Sequence, residues 1–142
     1  DFTQDYYPPT ASVYVAASEG VDLAGGVISD QTATIQAAYI GESGATLLEF
    51  ATADETIAAV QNGEVDAVFA DYDFLLPVVE ASGGALMFVG DEVALGGGVG
   101  MGLRESDSEL RDKFNAAIDS MKADGTLNAL LAKWFGEESP GY

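Results

Sequence analysis

The chain has 142 residues, 48% of them hydrophobic, with no cysteine, no histidine and a formal net charge of −19. That is enough for one ordinary globular domain with its own core, and it excludes disulfides, thiolate metal sites and histidine chemistry. The acidity speaks against nucleic acid or an anionic membrane surface as partners, since both need basic patches.

No apolar run approaches the ~18 residues of a membrane-spanning helix. Residues 1–9 (DFTQDYYPP) lack the basic start and apolar core of a signal peptide, so either an export signal has been removed or the chain begins mid-protein. All five basic residues (Arg104, Arg111, Lys113, Lys122 and Lys133) follow residue 103. Residues 1–103 carry 16 acidic groups and no basic one, whereas residues 104–142 carry 8 acidic and 5 basic groups. This compositional break near Leu103 predicts a structural boundary. Solubility or salty surroundings account for the acidity more readily than a specific cation-binding role.

In chain order, residues 12–17 (SVYVAA) alternate and are β-rich, a first strand after the punctuation of Tyr6, Tyr7, Pro8 and Pro9. Residues 27–29 make a second short strand. Asp30, Gln31 and Thr32 then offer capping side chains to a helix carrying Ile35, Ala38 and Tyr39 at helical spacing, with Gly41 as its stop. Residues 46–50 are a third strand. Thr52 and Glu55 form a capping box, and the helix it opens turns Ile57 and Val60 inward and ends at Gly63.

Residues 65–71 (VDAVFAD) form the fourth strand. Val65, Ala67, Val68 and Phe69 are apolar enough for burial on both faces, as in a parallel sheet, and Asp71 stands at the C-terminal tip. Residues 74–81 form a short helix with Pro77 near its first turn, and residues 85–89 and 99–103 are the remaining strand candidates. The repeated strand–helix–strand order implies parallel pairing with right-handed crossovers.

The tail differs in kind. Residues 106–109 (SDSE) read as a second capping box. Leu110, Phe114, Ala117, Ile118 and Met121 then fall on one apolar stripe, closed by Gly125. Thr126 caps a last helix with Leu127, Leu130, Leu131 and Trp134 on one side, ending at Gly136. Both stripes need an apolar partner surface.

Three stretches invite a chemical reading. The turn Ile28-Ser29-Asp30-Gln31-Thr32 leads into a helix, whose free N–H groups suit an anion, although an ordinary N-cap is the commoner arrangement. Asp71, with Asp73 close by, could bind an ammonium group, act as acid or base, or cap the next helix, and capping is the commonest of these. Asp71 and Thr32 both lie at C-terminal strand ends, so a cation acceptor faces an anion donor, which suits a zwitterion. The run Gly96-Gly97-Gly98-Val99-Gly100-Met101-Gly102 fits neither a dinucleotide fingerprint nor a P-loop, and reads as flexible or closely approached backbone.

The stretches FTQDYYPP, GGVISDQTATIQ, ETIAAVQNGEVDAVFAD, VGMGLRESDSELRDKFNAAI and MKADGTLNALLAKWFG together resemble the periplasmic amino-acid-binding proteins of ABC transporters, the two-lobed type II solute-binding proteins. The resemblance implies an α/β fold, a three-layer sandwich of mostly parallel sheet with flanking helices, plus two C-terminal helices. Residues 1–103 would be the second lobe with its hinge strands, and residues 104–142 a helical segment completing the first lobe. It implies that Asp71 takes the ligand α-ammonium and that the backbone N–H of Thr32 meets the ligand carboxylate. Gln31 and Ala33 would flank Thr32, and Ile28 would stand on the cleft wall. Asp30 stands where relatives often have glycine, and Ala33 where binders of basic amino acids often have a polar residue.

The function so implied is capture of a polar or cationic amino acid for a membrane permease, in the periplasm, with no cofactor, no metal and no catalysis. The absence of basic residues through Leu103 leans toward arginine, lysine or ornithine. With one lobe incomplete, half a cleft and millimolar affinity are expected. The C-terminal helices would cover a substitute surface, in the same chain or in a homodimer. Two other classes are a ligand-sensing receptor lobe and an enzyme of the dehydratase or lyase kind, for which Asp71 would be the only acid or base at hand.

Overall fold

In the computed structural model, which describes residues 1–142, β1 (Ala11–Ala16) is buried along nearly its whole length and shares its two faces between two cores. Val13 and Val15 face one way, Tyr14 and Ala16 the other, as the two-residue period of a strand requires. β1 is an inner strand of a five-stranded sheet in the order β3-β2-β4-β1-β5, with β2 at Val27–Gln31, β3 at Thr46–Phe50, β4 at Ala67–Asp71 and β5 at Met87–Ala94.

Helix α1 (Ile35–Ser43) covers one face, where Ile40 meets Tyr14, Ile28, Ala67 and Phe69. Phe69 is fully buried there between Tyr14 and Tyr39, with ring centroids 4.4 and 5.4 Å away. Helices α2 (Ala53–Gln61) and α3 (Tyr72–Ala81) cover the other, bringing Ile57, Val60 and Leu75 against Val13, Val15 and Val68. The sheet is thus sandwiched between helices, and burial of such side chains at about 1.5–3 kcal/mol each is what holds the layers. The capping box of α2 forms as expected: Glu55 N–H donates to Thr52 Oγ1 (3.4 Å), and Thr52 N–H to Glu55 Oε2 (3.0 Å).

Several sequence expectations shift. β2 runs parallel to both β3 and β4, but β1 is antiparallel to β4 and to β5. No helix lies between β1 and β2; a loop at residues 17–26 joins them, so no crossover forces β1 to run parallel. β2 extends to Gln31 because it pairs residue for residue with all five positions of β3. Its extension moves the start of α1 to Thr34, whose Oγ1 accepts from Ala37 N–H (3.1 Å), and the helix runs through Gly41 to Gly44. The buried face of α1 is Gln36, Ala37 and Ile40, while Ile35 is exposed. Because α3 starts at Tyr72, Pro77 lies mid-helix, where it withholds one donor from the ladder.

The chain divides into two compact units: Ala11–Leu95, just described, and Asp1–Thr10 with Gly96–Tyr142. In the second unit, residues 99–103 make only isolated antiparallel bridges, Phe2 with Gly102 and Tyr7 with Val99, instead of the expected strand. The glycine run serves close approach: a Cβ on Gly98 would lie 2.2 Å from the Tyr7 carbonyl oxygen. A 3-10 turn at Glu105–Asp107 precedes α4 (Ser108–Ala123), and α5 (Thr126–Phe135) follows. The Ser106 capping box does not form. The 3-10 turn puts Asp107 at the cap position, its carboxylate engaged by Arg104 Nε (2.9 Å), and the Ser106 hydroxyl only reaches Asp107 Oδ1 (3.3 Å). Gly125, at φ 78°, takes the cap position expected for Thr126, and Asp124 Oδ1 accepts the Thr126 N–H at 2.8 Å.

Ile118, Leu127 and Leu131 bury themselves with Tyr7. Gln4 ties its strand segment to α4, donating from Nε2 to the Asn115 carbonyl (2.9 Å) and to Asp119 Oδ1 (2.8 Å). Leu110, Phe114, Leu130, Trp134 and Phe135 remain exposed, Trp134 at 71%.

Candidate ligand-binding site

Parallel pairing of β2 with β4, Ile28 opposite Ala67 and Ser29 opposite Val68, brings the C-terminal ends of both strands to one edge of the sheet. A pocket of about 270 Å³ opens there. Asp30 and Gln31 of β2, Thr34 and Gln36 at the start of α1, Ala53 and Thr56 of α2, and Phe69, Ala70, Asp71 and Phe74 line it.

Asp71 occupies the N-cap position of α3, yet its side chain makes no cap hydrogen bond. Instead Oδ1 accepts from Gln36 Nε2 at 2.7 Å. The second proton on that nitrogen goes to Ser12 Oγ (3.2 Å) in the buried interior, so the amide is anchored from below and grips the carboxylate from one side. Burial raises the Asp71 pKa and the neighbouring Asp73 charge adds to the rise, while the Gln36 hydrogen bond pulls it down. A carboxylate fixed by one oxygen and spared from capping suits the reception of a cation.

The start of α1 supplies the opposite polarity. Thr34 Oγ1 satisfies Ala37 N–H and the Thr34 carbonyl accepts from Ala38 N–H (3.2 Å). The preceding N–H groups, of Ile35 and Gln36, have no intrahelical acceptor and sit at the positive end of the helix. Thr34 was not expected at this helix start, because the length of β2, which sets where the helix begins, follows from its pairing with β3.

Asp30 is only 2% exposed. Its Oδ1 accepts from Gln31 N–H (2.8 Å) and from the Thr34 hydroxyl (3.1 Å), whereas its buried Oδ2 has no partner. Burial pushes its pKa up to about 7 against those two hydrogen bonds, with Asp71 and Glu49 adding to the rise. No Lys, Arg or His occurs between residues 11 and 95, so this unit contains nothing to neutralise either pocket carboxylate.

Of the residues expected at the site, Asp71, Asp30 and Gln31 are on its wall. Thr32 and Ala33 are not. The Thr32 N–H donates to the Phe50 carbonyl (2.9 Å), continuing the pairing with β3, and so is spent. Ala33, at φ 64°, makes the exposed turn between β2 and α1. Ile28 is fully buried among Ile40, Ala67 and Phe69, a core side chain rather than a cleft wall. Gln36, Thr56 and Phe74 line the pocket without having been expected, because polar and apolar side chains on a helix give no sign of which faces a neighbouring strand tip. No group of three or more carboxylates is gathered as a metal ion would require.

Residues 1–137 match the bacterial extracellular solute-binding proteins, family 3. The chain belongs to this family. It is a family of solute-binding proteins. The chain is 33% identical over 152 residues to the L-arginine-binding protein of Pseudomonas aeruginosa, and 28% identical over 141 residues to the arginine-binding periplasmic protein of Mannheimia haemolytica. Either alignment takes in 95% of this chain and 58% or 59% of the relative, so the chain spans about six tenths of their length. A crystal structure of a periplasmic His/Glu/Gln/Arg/opine family-binding protein from Silicibacter pomeroyi, in complex with lysine, is 71% identical. It superposes with a TM-score of 0.91 over 100% of this chain and 65% of that one. The α/β sandwich is thus the lobe fold of a periplasmic binding protein.

Proposed function

We propose that the chain is the amino-acid-receiving second lobe, with part of the first, of a periplasmic binding protein that delivers a polar amino acid to an ABC transporter permease. In this reading residues 1–103 are the second lobe with its connecting segments, and residues 104–142 belong to the first. One observation carries it: Asp71 stands at a cap position but gives up the cap, and Gln36 holds it facing a pocket that also contains the open start of α1. The carboxylate receives the ligand ammonium. The ligand carboxylate goes to the N-terminal turn of α1, with the Ile35 and Gln36 N–H groups as donors in place of the Thr32 N–H. Support for an amino acid comes from the relatives above, two arginine-binding proteins and a binding protein in complex with lysine, and support for the periplasm from the periplasmic ones among them. A second copy of the chain is proposed to cover the exposed side chains of α4 and α5.

The test is titration of the chain with lysine and with glutamine, followed by amide chemical shifts. Millimolar dissociation constants are expected, about 4 kcal/mol in standard free energy, and Asp71→Asn should weaken both ligands at least ~10-fold. Unchanged affinity for both ligands in Asp71→Asn would overturn the assignment.

A further inference from the structure

We propose that Asp30 is a specificity-determining residue: its buried carboxylate is the counter-charge for a second cationic group on the ligand, so the pocket prefers a dibasic amino acid to a neutral one. The inference rests on reading the pocket as an α-amino-acid site in which Asp71 takes the ammonium.

Asp30 is part of the pocket wall with its carboxylate almost wholly buried, and no basic side chain of this unit pairs its charge. The groups that act on it are the phenol of Tyr14 from β1, the carboxylate of Glu49 from β3 and the carboxylate of Asp71 from β4. Tyr39 of α1 completes this neighbourhood through its contact with Tyr14. All are neutral or anionic. Its Oδ1 is satisfied by Gln31 and Thr34, whereas Oδ2 is enclosed without a donor. A lone buried carboxylate is costly and is normally kept only with a counter-ion. A capping role for Asp30 would need one oxygen and no charge, which asparagine could supply.

An ammonium or guanidinium group entering the pocket supplies the missing positive charge. Because solvent is excluded around Asp30, the attraction acts through the wall and requires no direct contact. A neutral amide side chain gains nothing from it, and an acidic one is repelled. When the cation arrives near neutral pH, Asp30 gives its proton to solvent and becomes the carboxylate. Protonation at lower pH removes the counter-charge and with it the preference.

The experiment compares lysine and glutamine on the wild-type chain from about pH 5 to about pH 8.5, a range that brackets the carboxyl's titration. The ratio of the two affinities cancels the α-ammonium contact that both ligands share, and Asp30→Asn separates Asp30 from any effect of Asp71 on the second charge. It should rise about tenfold toward lysine across that range in the wild type and stay flat in Asp30→Asn. A flat ratio in the wild type overturns the proposal without any variant being needed. Equal weakening of both ligands in Asp30→Asn overturns it too, since that is the mark of a residue that only holds the start of α1. Asp71→Asn reads the underlying assignment separately: if that variant keeps both ligands, the ammonium site is misplaced while the lysine-to-glutamine ratio still reports on Asp30.

Discussion

Asp71 and Asp30 are both carboxylates at strand ends, but they differ in how the fold holds them. Asp71 is gripped by a side-chain amide and half open, whereas Asp30 is buried with one oxygen held by Gln31 and Thr34 and the other unanswered. The burial of Asp30 has a consequence for stability whose sign is opposite to that of a salt-bridged aspartate. Its folded-state pKa of about 7 lies above the ordinary value, so the native state holds the proton more tightly than the unfolded chain. Its contribution is fully present below about pH 4 and is lost as pH rises through about 7, by a few kcal/mol on the order of magnitude. The stability of the wild type relative to Asp30→Asn should therefore fall across that window in urea titrations at a series of pH values. Parallel curves for the two proteins would mean that Asp30 ionises freely. At this scale Asp71 was legible, because an apolar run ending in aspartate marks a strand tip. Gln36 was not, since a glutamine on a helix reads as solvated until β1 supplies a hydroxyl and β4 a carboxylate for its amide.

Among the elements, capping shows where pattern suffices and where it fails. The two boxes have the same form, Thr52 with Glu55 and Ser106 with Glu109, yet only the first closes. Thr52 follows a strand that delivers the chain in extended conformation, whereas Ser106 lies inside a 3-10 turn pinned by Arg104 and Asp107. Thr52→Ala should cost about 1 kcal/mol in denaturant unfolding, and Ser106→Ala no more than about 0.5 kcal/mol. Equal losses would contradict the geometry of both starts. The strand pattern was similarly half legible. Segments close to all five strands follow from the residues, but a sixth expected at residues 99–103 makes only isolated bridges, and the reversed direction of β1 depends on a loop whose path no periodicity encodes. The length of β2 depends on its pairing with β3, so the turn and cap that follow it were misplaced together.

For the whole molecule, the apolar positions of α4 and α5 were visible in the sequence, but which of them are covered was not, because that depends on a surface and not on spacing. Ile118, Leu127 and Leu131 find partners, whereas Leu110, Phe114, Leu130, Trp134 and Phe135 meet solvent. Contiguous exposed apolar surface drives association, and a net charge of −19 opposes it. The two effects respond differently to salt: screening shortens the repulsion to about 3 Å at ~1 M and leaves the apolar attraction in place. The chain should accordingly sediment as a monomer in dilute buffer and as a dimer or larger species at high ionic strength. Replacing Leu110 and Trp134 together by aspartate should abolish the larger species without lowering stability by more than about 1 kcal/mol, since both side chains are already exposed. A wild-type chain that stays monomeric at every salt concentration would show that these side chains do not self-associate, and the proposed second copy would be discarded. Loss of the larger species only on substitution at Ile118 or Leu131 would instead mean that association requires opening the core of this unit, so the exposed face would not be the surface in contact.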